Sequence, residues 1–192
     1  MDRATHTETR ALPRPLNYAL PALLAVGALT ASAWLAFPHP FTPTPVPVTW
    51  QVLVVLVLGL ATPSWLALSS VGAYLALGLT GAPVFAWGAN GWIAFAGPSG
   101  GYLVGFLAAA GVMGLVKDKL GDKLPALILN GLAGIATIYL FGYVWLAVWI
   151  GDAGAAFSAG VLPFVAPDLL KLAGAVSVAH LRHRLKIPRN DA

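Results

Sequence analysis

Two charged side chains, Asp168 and Lys171, interrupt an apolar stretch near the C-terminus, residues 163–171 (PFVAPDLLK). Their spacing of three places both on one face of a helix. A carboxylate can accept and an ammonium can donate hydrogen bonds to a polar ligand, although this pair offers no obvious nucleophile. The spacing therefore indicates a binding site. The alternative is an ion pair that only neutralises itself or locks helix packing.

Prolines flank the acidic residue. Pro167 directly before Asp168 is typical of the first turn of a helix, and Pro163 would interrupt the backbone just upstream. We therefore predict a broken helix that begins beside Asp168 and offers free N–H groups to an anionic or polar ligand.

Several uncharged polar or aromatic residues could converge on the same site: Gln51, Trp87, Asn90 and Tyr102. Asn90 lies in GANG, so a role as a turn residue is an equal alternative. Tyr102 and the tryptophans 50, 87 and 92 could instead form the aromatic belt at the membrane interface.

The composition requires a membrane around these residues. Of the 192 residues, 58% are hydrophobic and 9% charged, and residues 15–116 contain no Asp, Glu, Lys or Arg. Soluble domains are about 25% charged, and about 20 apolar residues suffice for one membrane span. There is no cysteine, no P-loop and no histidine spacing for a metal, so we predict no cofactor, no metal and no enzymatic activity.

Hydropathy and proline positions predict an all-α integral membrane protein, a bundle of six transmembrane helices. The spans are expected at about residues 16–37, 48–61, 64–79, 100–116, 124–150 and 160–181. Residues 38–47 are rich in proline and should be extended. Residues 80–99 are apolar yet rich in Gly and Pro, so they should line a cavity or lie at the interface.

Lysines and arginines orient the bundle. Of the eleven, three precede span one, three lie in residues 117–123, four follow span six, and Lys171 remains. Four spans precede the charged 117–123 loop and two follow it. Because both numbers are even, all three clusters lie on one side of the membrane, which the positive-inside rule assigns to the cytoplasm. We therefore expect both termini in the cytoplasm, with tails at 1–15 and 182–192, in the inner (plasma) membrane. This rule explains the basic pI without a nucleic-acid partner.

Small residues recur at spacing four. Gly27/Ala31 and Ala28/Ser32 do so in span one, and Gly97, Gly101 and Gly105 lead into span four. Such faces allow helices to approach closely, either within the bundle or against a membrane partner.

Four blocks in order along the chain resemble the BioY family. They are residues 45–51 (PVPVTWQ), 81–86 (GAPVFA), 97–103 (GPSGGYL) and 162–171 (LPFVAPDLLK). BioY proteins are the biotin-binding substrate-capture (S) components of energy-coupling-factor (ECF) transporters. Trp50, Ser99 and the Trp-rich residues 86–92 depart from the usual family pattern.

The resemblance implies the six-helix ECF S-component fold, with an outward-facing biotin pocket closed by the 38–47 segment. It implies ligand contacts from Asp168, Lys171 and Asn90. It also implies a membrane coupling protein and two ATPases as partners, docked through small residues of the first helix, or a homo-oligomer where the protein works alone. The alternative functions are an S component for another small vitamin and a non-transporting membrane scaffold.

Overall fold

The computed structural model describes residues 14–40 and 44–185, with side chains from residue 19 onward. Residues 1–13 and 186–192, which make up most of the two predicted tails, lie outside the described part, as do residues 41–43 of the proline-rich segment. The described chain confirms the all-α prediction. Its helices are α1 (Arg14–Trp34), α2 (Gln51–Ala61), α3 (Ser64–Leu79), α4 (Gly91–Ala96), α5 (Gly100–Leu120), α6 (Leu124–Ile150), α7 (Ala153–Gly160) and α8 (Leu162–Arg184).

Six of these helices (α1, α2, α3, α5, α6 and α8) overlap the residue ranges predicted for the spans. By length and composition, three segments suffice to cross a membrane: Gly100–Leu120, Leu124–Ile150 and the continuous stretch Ala153–Arg184. Three shorter apolar helices accompany them, Ala19–Trp34, Gln51–Ala61 and Ser64–Leu79.

The connections carry more structure than the sequence indicated. Residues 80–99 contain a 3₁₀ turn, Ala86–Gly88, followed by α4. Residues 151–159, between the fifth and sixth predicted spans, hold most of α7, which Asp152 caps by accepting a 2.8 Å hydrogen bond from the Ala155 N–H. On either side of the proline-rich segment, Phe37 and Val48 exchange two backbone hydrogen bonds of 3.0 Å. This bridge fixes where the chain returns towards α2.

The predicted charged loop at 117–123 is shorter than expected. Helix α5 continues to Leu120, and Lys117 is buried within it. The Lys117 ammonium donates a 2.6 Å hydrogen bond to the Thr62 carbonyl, and Arg182 of α8 donates to the neighbouring Ala61 carbonyl. The C-terminal carbonyls of a helix lack intrahelical partners and carry partial negative charge. Lys117 therefore remains within α5, because its ammonium supplies the donor that a carbonyl at the end of α2 lacks.

Glycines allow α5 and α6 to pack closely. A Cβ at Gly101 would overlap Trp145, and one at Gly105 would lie 3.1 Å from the Ile138 backbone. Of the two roles left open for these small residues, internal packing is therefore the one observed. The close contact brings Ile138 and Tyr139 of α6 beside the N-terminal half of α5, where a cavity opens.

Candidate ligand-binding cavity

A cavity of about 540 Å³ lies where α2, α5, α6 and α8 meet the 45–52 and 85–99 segments. All six predicted ligand-binding residues line it: Gln51, Trp87, Asn90, Tyr102, Asp168 and Lys171. Pockets of about 300–1,000 Å³ suit small organic ligands. Residues that are 120 positions apart in sequence thus share one site of suitable size.

A buried ion pair forms the polar floor. Lys171 Nζ lies 2.7 Å from Asp168 Oδ1, and the two side chains are 7% and 3% exposed. The Tyr139 hydroxyl donates to the second carboxylate oxygen, Asp168 Oδ2, at 2.8 Å. Among the described residues that line the cavity, Asp168 and Lys171 are the charged ones, so the floor carries no net formal charge.

The helix start predicted beside Asp168 is wrong. Helix α8 begins at Leu162, has Pro163 in its first turn and continues through Pro167. Because Pro167 lacks an N–H, it removes only the helical hydrogen bond that the Pro163 carbonyl would accept. Asp168 therefore sits in the second turn. The structure thus offers a side-chain carboxylate here in place of exposed backbone N–H groups.

Tyr102 forms a buried wall of the cavity. Its hydroxyl donates a 2.7 Å hydrogen bond to the Gly160 carbonyl, which joins α5 to the end of α7. A Cβ at Gly142 or Gly160 would overlap the Tyr102 side chain, so two glycines create its slot. At 8% exposure, Tyr102 is a cavity residue and does not belong to an interfacial belt.

Gln51 is the first residue of α2 and is buried. Its side-chain amide nitrogen donates to the Tyr74 hydroxyl at 2.7 Å, and that hydroxyl donates to the Val84 carbonyl at 3.0 Å. This chain of hydrogen bonds ties α2 to α3 and to the 80–99 segment. Gln51 therefore fixes the elements around the cavity as well as lining it.

Trp87 and Asn90 form the exposed rim. The Trp87 indole N–H donates to the Ala36 carbonyl at 3.3 Å, which links the rim to the end of α1. Trp87 has a left-handed backbone conformation, φ 57°, which is unusual for a bulky residue. Asn90 precedes α4 without capping it, and its amide approaches the Gly88 carbonyl only at 3.4 Å. Its side chain is thus weakly engaged.

The other tryptophans do not line this cavity. Trp50 borders a neighbouring groove, and Trp92 is 75% exposed. The aromatic-belt alternative therefore still applies to Trp92.

Tyr139 is a polar cavity residue that the sequence reasoning missed. It lies in the sixteenth position of the 27-residue helix α6, far from either end. Interfacial tyrosines occur near helix ends, whereas a hydroxyl at mid-helix needs an internal partner. The position of Tyr139 in the middle of α6 is therefore the sequence feature that could have identified it.

The small residues of α1 divide between two environments. Gly27, Ala28 and Ala31 are exposed, whereas Ser32 is buried and its hydroxyl donates to the Leu29 carbonyl at 2.8 Å. A Cβ at Gly27 would meet no heavy atom within 4 Å. Three of the four predicted interface residues thus lie on an open surface.

No group of three or more His, Cys, Asp or Glu side chains suitable for a metal ion occurs within residues 14–40 and 44–185.

Comparison with known proteins places the chain among transporters. The model of the BioY family matches residues 6–187. A probable biotin transporter BioY from Pyrococcus horikoshii is 41% identical over 135 residues, covering 70% of this chain and 79% of the relative. The biotin transporter BioY of Thermotoga maritima is 35% identical over 171 residues, covering 87% and 98%.

A solved structure shares the fold. The crystal structure of the S-component for biotin from an ECF-type ABC transporter superposes with a TM-score of 0.80 at 24% sequence identity, covering 90% of this chain and 95% of the other. Together with the apolar helices, the transporter relatives show that the protein is embedded in a membrane.

Proposed function

Because the chain belongs to the BioY family, we propose that it captures biotin as the substrate-binding component of an ECF-type transporter and supports its uptake. Membership of this family makes it a substrate-binding transport protein and not an enzyme.

One observation carries the proposal: a buried Asp168–Lys171 pair forms the floor of a cavity with largely apolar walls. Biotin has two ureido N–H donors and a ureido carbonyl at one end, a carboxylate at the other and an apolar body between them. Asp168 can accept from a ureido N–H because a carboxylate has about four lone-pair sites, and two of the described residues, Tyr139 and Lys171, donate to it. Lys171 can donate to the ureido carbonyl or to the ligand carboxylate.

Four other lining residues contribute to the proposed site. The weakly engaged amide of Asn90 can donate or accept, and Gln51 holds the 80–99 segment against α2. Tyr102 and Trp87 supply aromatic walls at the floor and the rim. This division of a few polar groups among apolar surfaces is common in small-molecule sites.

We further propose that six helices span the membrane with both termini in the cytoplasm. The parity of the Lys and Arg clusters supports this orientation, and six apolar helices match the required number. The cavity then opens on the outer side of the plasma membrane, where the vitamin is met.

The proposed partners are a membrane coupling protein and two ATPases. The exposed residues Gly27, Ala28 and Ala31 of α1 provide a surface with small side chains on which another helix can pack closely. If the protein works alone, the same surface would serve a homo-oligomer.

The decisive experiment is isothermal titration of purified protein with biotin. We expect Asp168→Asn or Lys171→Ala to weaken binding about tenfold or more, since one lost charged hydrogen bond is worth about 1.5–3 kcal/mol. The matched controls are Asp118→Asn and Lys119→Met, both exposed at the other end of α5.

A double variant separates binding from folding. Asp168→Leu with Lys171→Leu leaves no unpaired buried charge, so the bundle should remain folded while biotin binding is lost. Wild-type protein that binds no biotin would contradict the proposal, and a panel of other small vitamins in the same titration would reveal a different ligand. Retained biotin binding in the double variant would contradict the assigned site.

A further inference from the structure

A second concavity, a groove of about 310 Å³, lies between α2 and α8 behind the binding cavity. Its lining is apolar apart from Thr49 and Lys171, and includes Val48, Trp50, Leu53, Pro167, Leu170 and Gly174. We define these residues as the lateral groove. The lateral groove is a separate concavity that shares one wall with the binding cavity.

Thr49 and Lys171 form that shared wall, because both line the cavity and the lateral groove. The Lys171 ammonium bonds Asp168 on the cavity side, so its aliphatic stem is the part left to face the groove. Lysine commonly packs its aliphatic stem on apolar surface while its ammonium points elsewhere. The lateral groove thus presents hydrocarbon despite the charge nearby.

The mouth of the lateral groove opens on the outer surface of the bundle. Trp50 is 46% exposed and Leu170 is 76% exposed. The protein is embedded in a membrane, so this surface meets lipid wherever it lies at hydrocarbon depth.

The position along α8 indicates that depth. With a rise of 1.5 Å per residue, Pro167 and Gly174 lie about 8 and 18 Å from the start of a helix about 34 Å long. The hydrocarbon core of a bilayer is about 30 Å thick. With α8 starting at the outer surface, as in the orientation proposed above, the lateral groove lies from the outer third to the middle of the membrane, where water is too scarce to fill it.

We propose that the lateral groove binds an acyl chain of a membrane lipid. A narrow apolar channel open to hydrocarbon is filled most favourably by hydrocarbon, because an empty groove forfeits dispersion contacts on one side. A transmembrane helix would enter this groove only with individual projecting side chains, whereas a flexible acyl chain can lie along it. The bound chain packs against the stem of Lys171 and closes the binding cavity from behind.

The test uses the full chain in lipid nanodiscs that contain a phosphatidylcholine with a diazirine in its acyl chain. After irradiation, mass spectrometry maps the cross-links. We expect them to be enriched at Leu53 and Leu170 over Leu140 and Val148, exposed residues of α6 outside the lateral groove. Equal labelling at all four positions would overturn the proposal.

Filling the groove provides the variant. Gly174→Leu should abolish most of the Leu53 cross-link, and Gly27→Leu on α1, where a Cβ has open space, should not. Gly174→Ala is a milder second variant, since its Cβ would lie 3.7 Å from Leu53, an ordinary contact. An unchanged cross-link in folded Gly174→Leu would overturn the proposal, as would Leu170 cross-links to a second copy of the chain in place of lipid.

A second readout uses a variant that leaves Gly174 unchanged. Lipids brominated along the acyl chain quench nearby tryptophans, and the quenching lost in Trp50→Phe reports on Trp50 alone. We expect strong quenching of Trp50 by mid-chain bromines, and its absence would overturn the proposal. Neither readout requires biotin, so failure here is distinguishable from failure of the proposed function.

Discussion

The Tyr139 hydroxyl holds the Asp168 carboxylate from the side opposite Lys171. With Lys171 on Oδ1 at 2.7 Å and Tyr139 on Oδ2 at 2.8 Å, both oxygens have a fixed partner before any ligand arrives. A carboxylate oriented in advance spends less free energy on ordering when it binds. Tyr139 is therefore a positioning residue in the proposed biotin site.

Removal of this hydroxyl should weaken binding while leaving the fold intact. We expect Tyr139→Phe to raise the biotin Kd by about tenfold, equivalent to about 1.4 kcal/mol. Titration calorimetry measures the change, with a thermal melt to verify folding. Tyr143→Phe, one turn further along α6 and outside the cavity, is the matched control. Equal effects of the two substitutions would contradict a role specific to Asp168.

Sequence alone could locate the charged residues but could not describe their surroundings. Asp168 and Lys171 stand out because an ionised side chain in the bilayer costs about 3 kcal/mol or more, so it is retained for a reason. Tyr139 carries no such signal unless its depth in the helix is considered. The left-handed backbone of Trp87 has no signature either, because bulky residues rarely adopt it.

At the scale of the elements, helix α2 is short and held at both ends. Gln51 anchors its start to Tyr74, and Lys117 and Arg182 satisfy carbonyls at its end. Seven of the 11 residues of α2 are buried, and these polar contacts add to that packing in fixing its position. That position matters because α2 borders both the cavity and the lateral groove.

Loss of the buried Lys117 contact should destabilise the bundle. We expect Lys117→Met to lower the free energy of unfolding by about 1–3 kcal/mol, since the Thr62 carbonyl loses its donor in a buried setting. Thermal unfolding in detergent should show a lower Tm than wild type. Lys119→Met, which is exposed two residues further on, should leave the Tm unchanged. Similar shifts for both variants would contradict this account.

The open face of α1 makes a separate prediction. Gly27→Leu combined with Ala31→Leu should prevent co-purification of the co-expressed coupling protein and ATPases, because bulky side chains hold another helix away. Biotin binding by the isolated protein should not change, since neither residue lines the cavity. Ala136→Leu, at an exposed small residue of α6, is the matched control. Undisturbed assembly in the α1 variant would refute this interface.

The ends of a helix could be predicted where local sequence signals are strong. They could not be predicted where a contact with a distant part of the chain determines them. Pro63 separates α2 from α3 as expected. Lys117 looked like part of a loop because charges usually leave the membrane, and the carbonyl that keeps it inside is 55 residues away in the chain. Such a partner is invisible to local reasoning.

At the scale of the whole molecule, the absence of cysteine from the sequence makes the orientation directly testable. With both termini in the cytoplasm, a single cysteine at Asp118 should be shielded from a membrane-impermeant maleimide in intact cells. One at Ser158 of α7 should be labelled. Both residues are exposed, so labelling reports on the side of the membrane. The reverse pattern would show the opposite orientation.

The cancelled charge of the cavity floor has an electrical consequence. Because Asp168 and Lys171 sum to zero, the empty site itself adds no charge that the membrane potential can pull on. The carboxylate of bound biotin is then the charge moved. Carrying one negative charge into a negative interior costs about 2.3 kcal/mol per 100 mV. On the proposed function, we expect uptake to be electrogenic and opposed by the resting potential, and the proposed ATPases would supply the work.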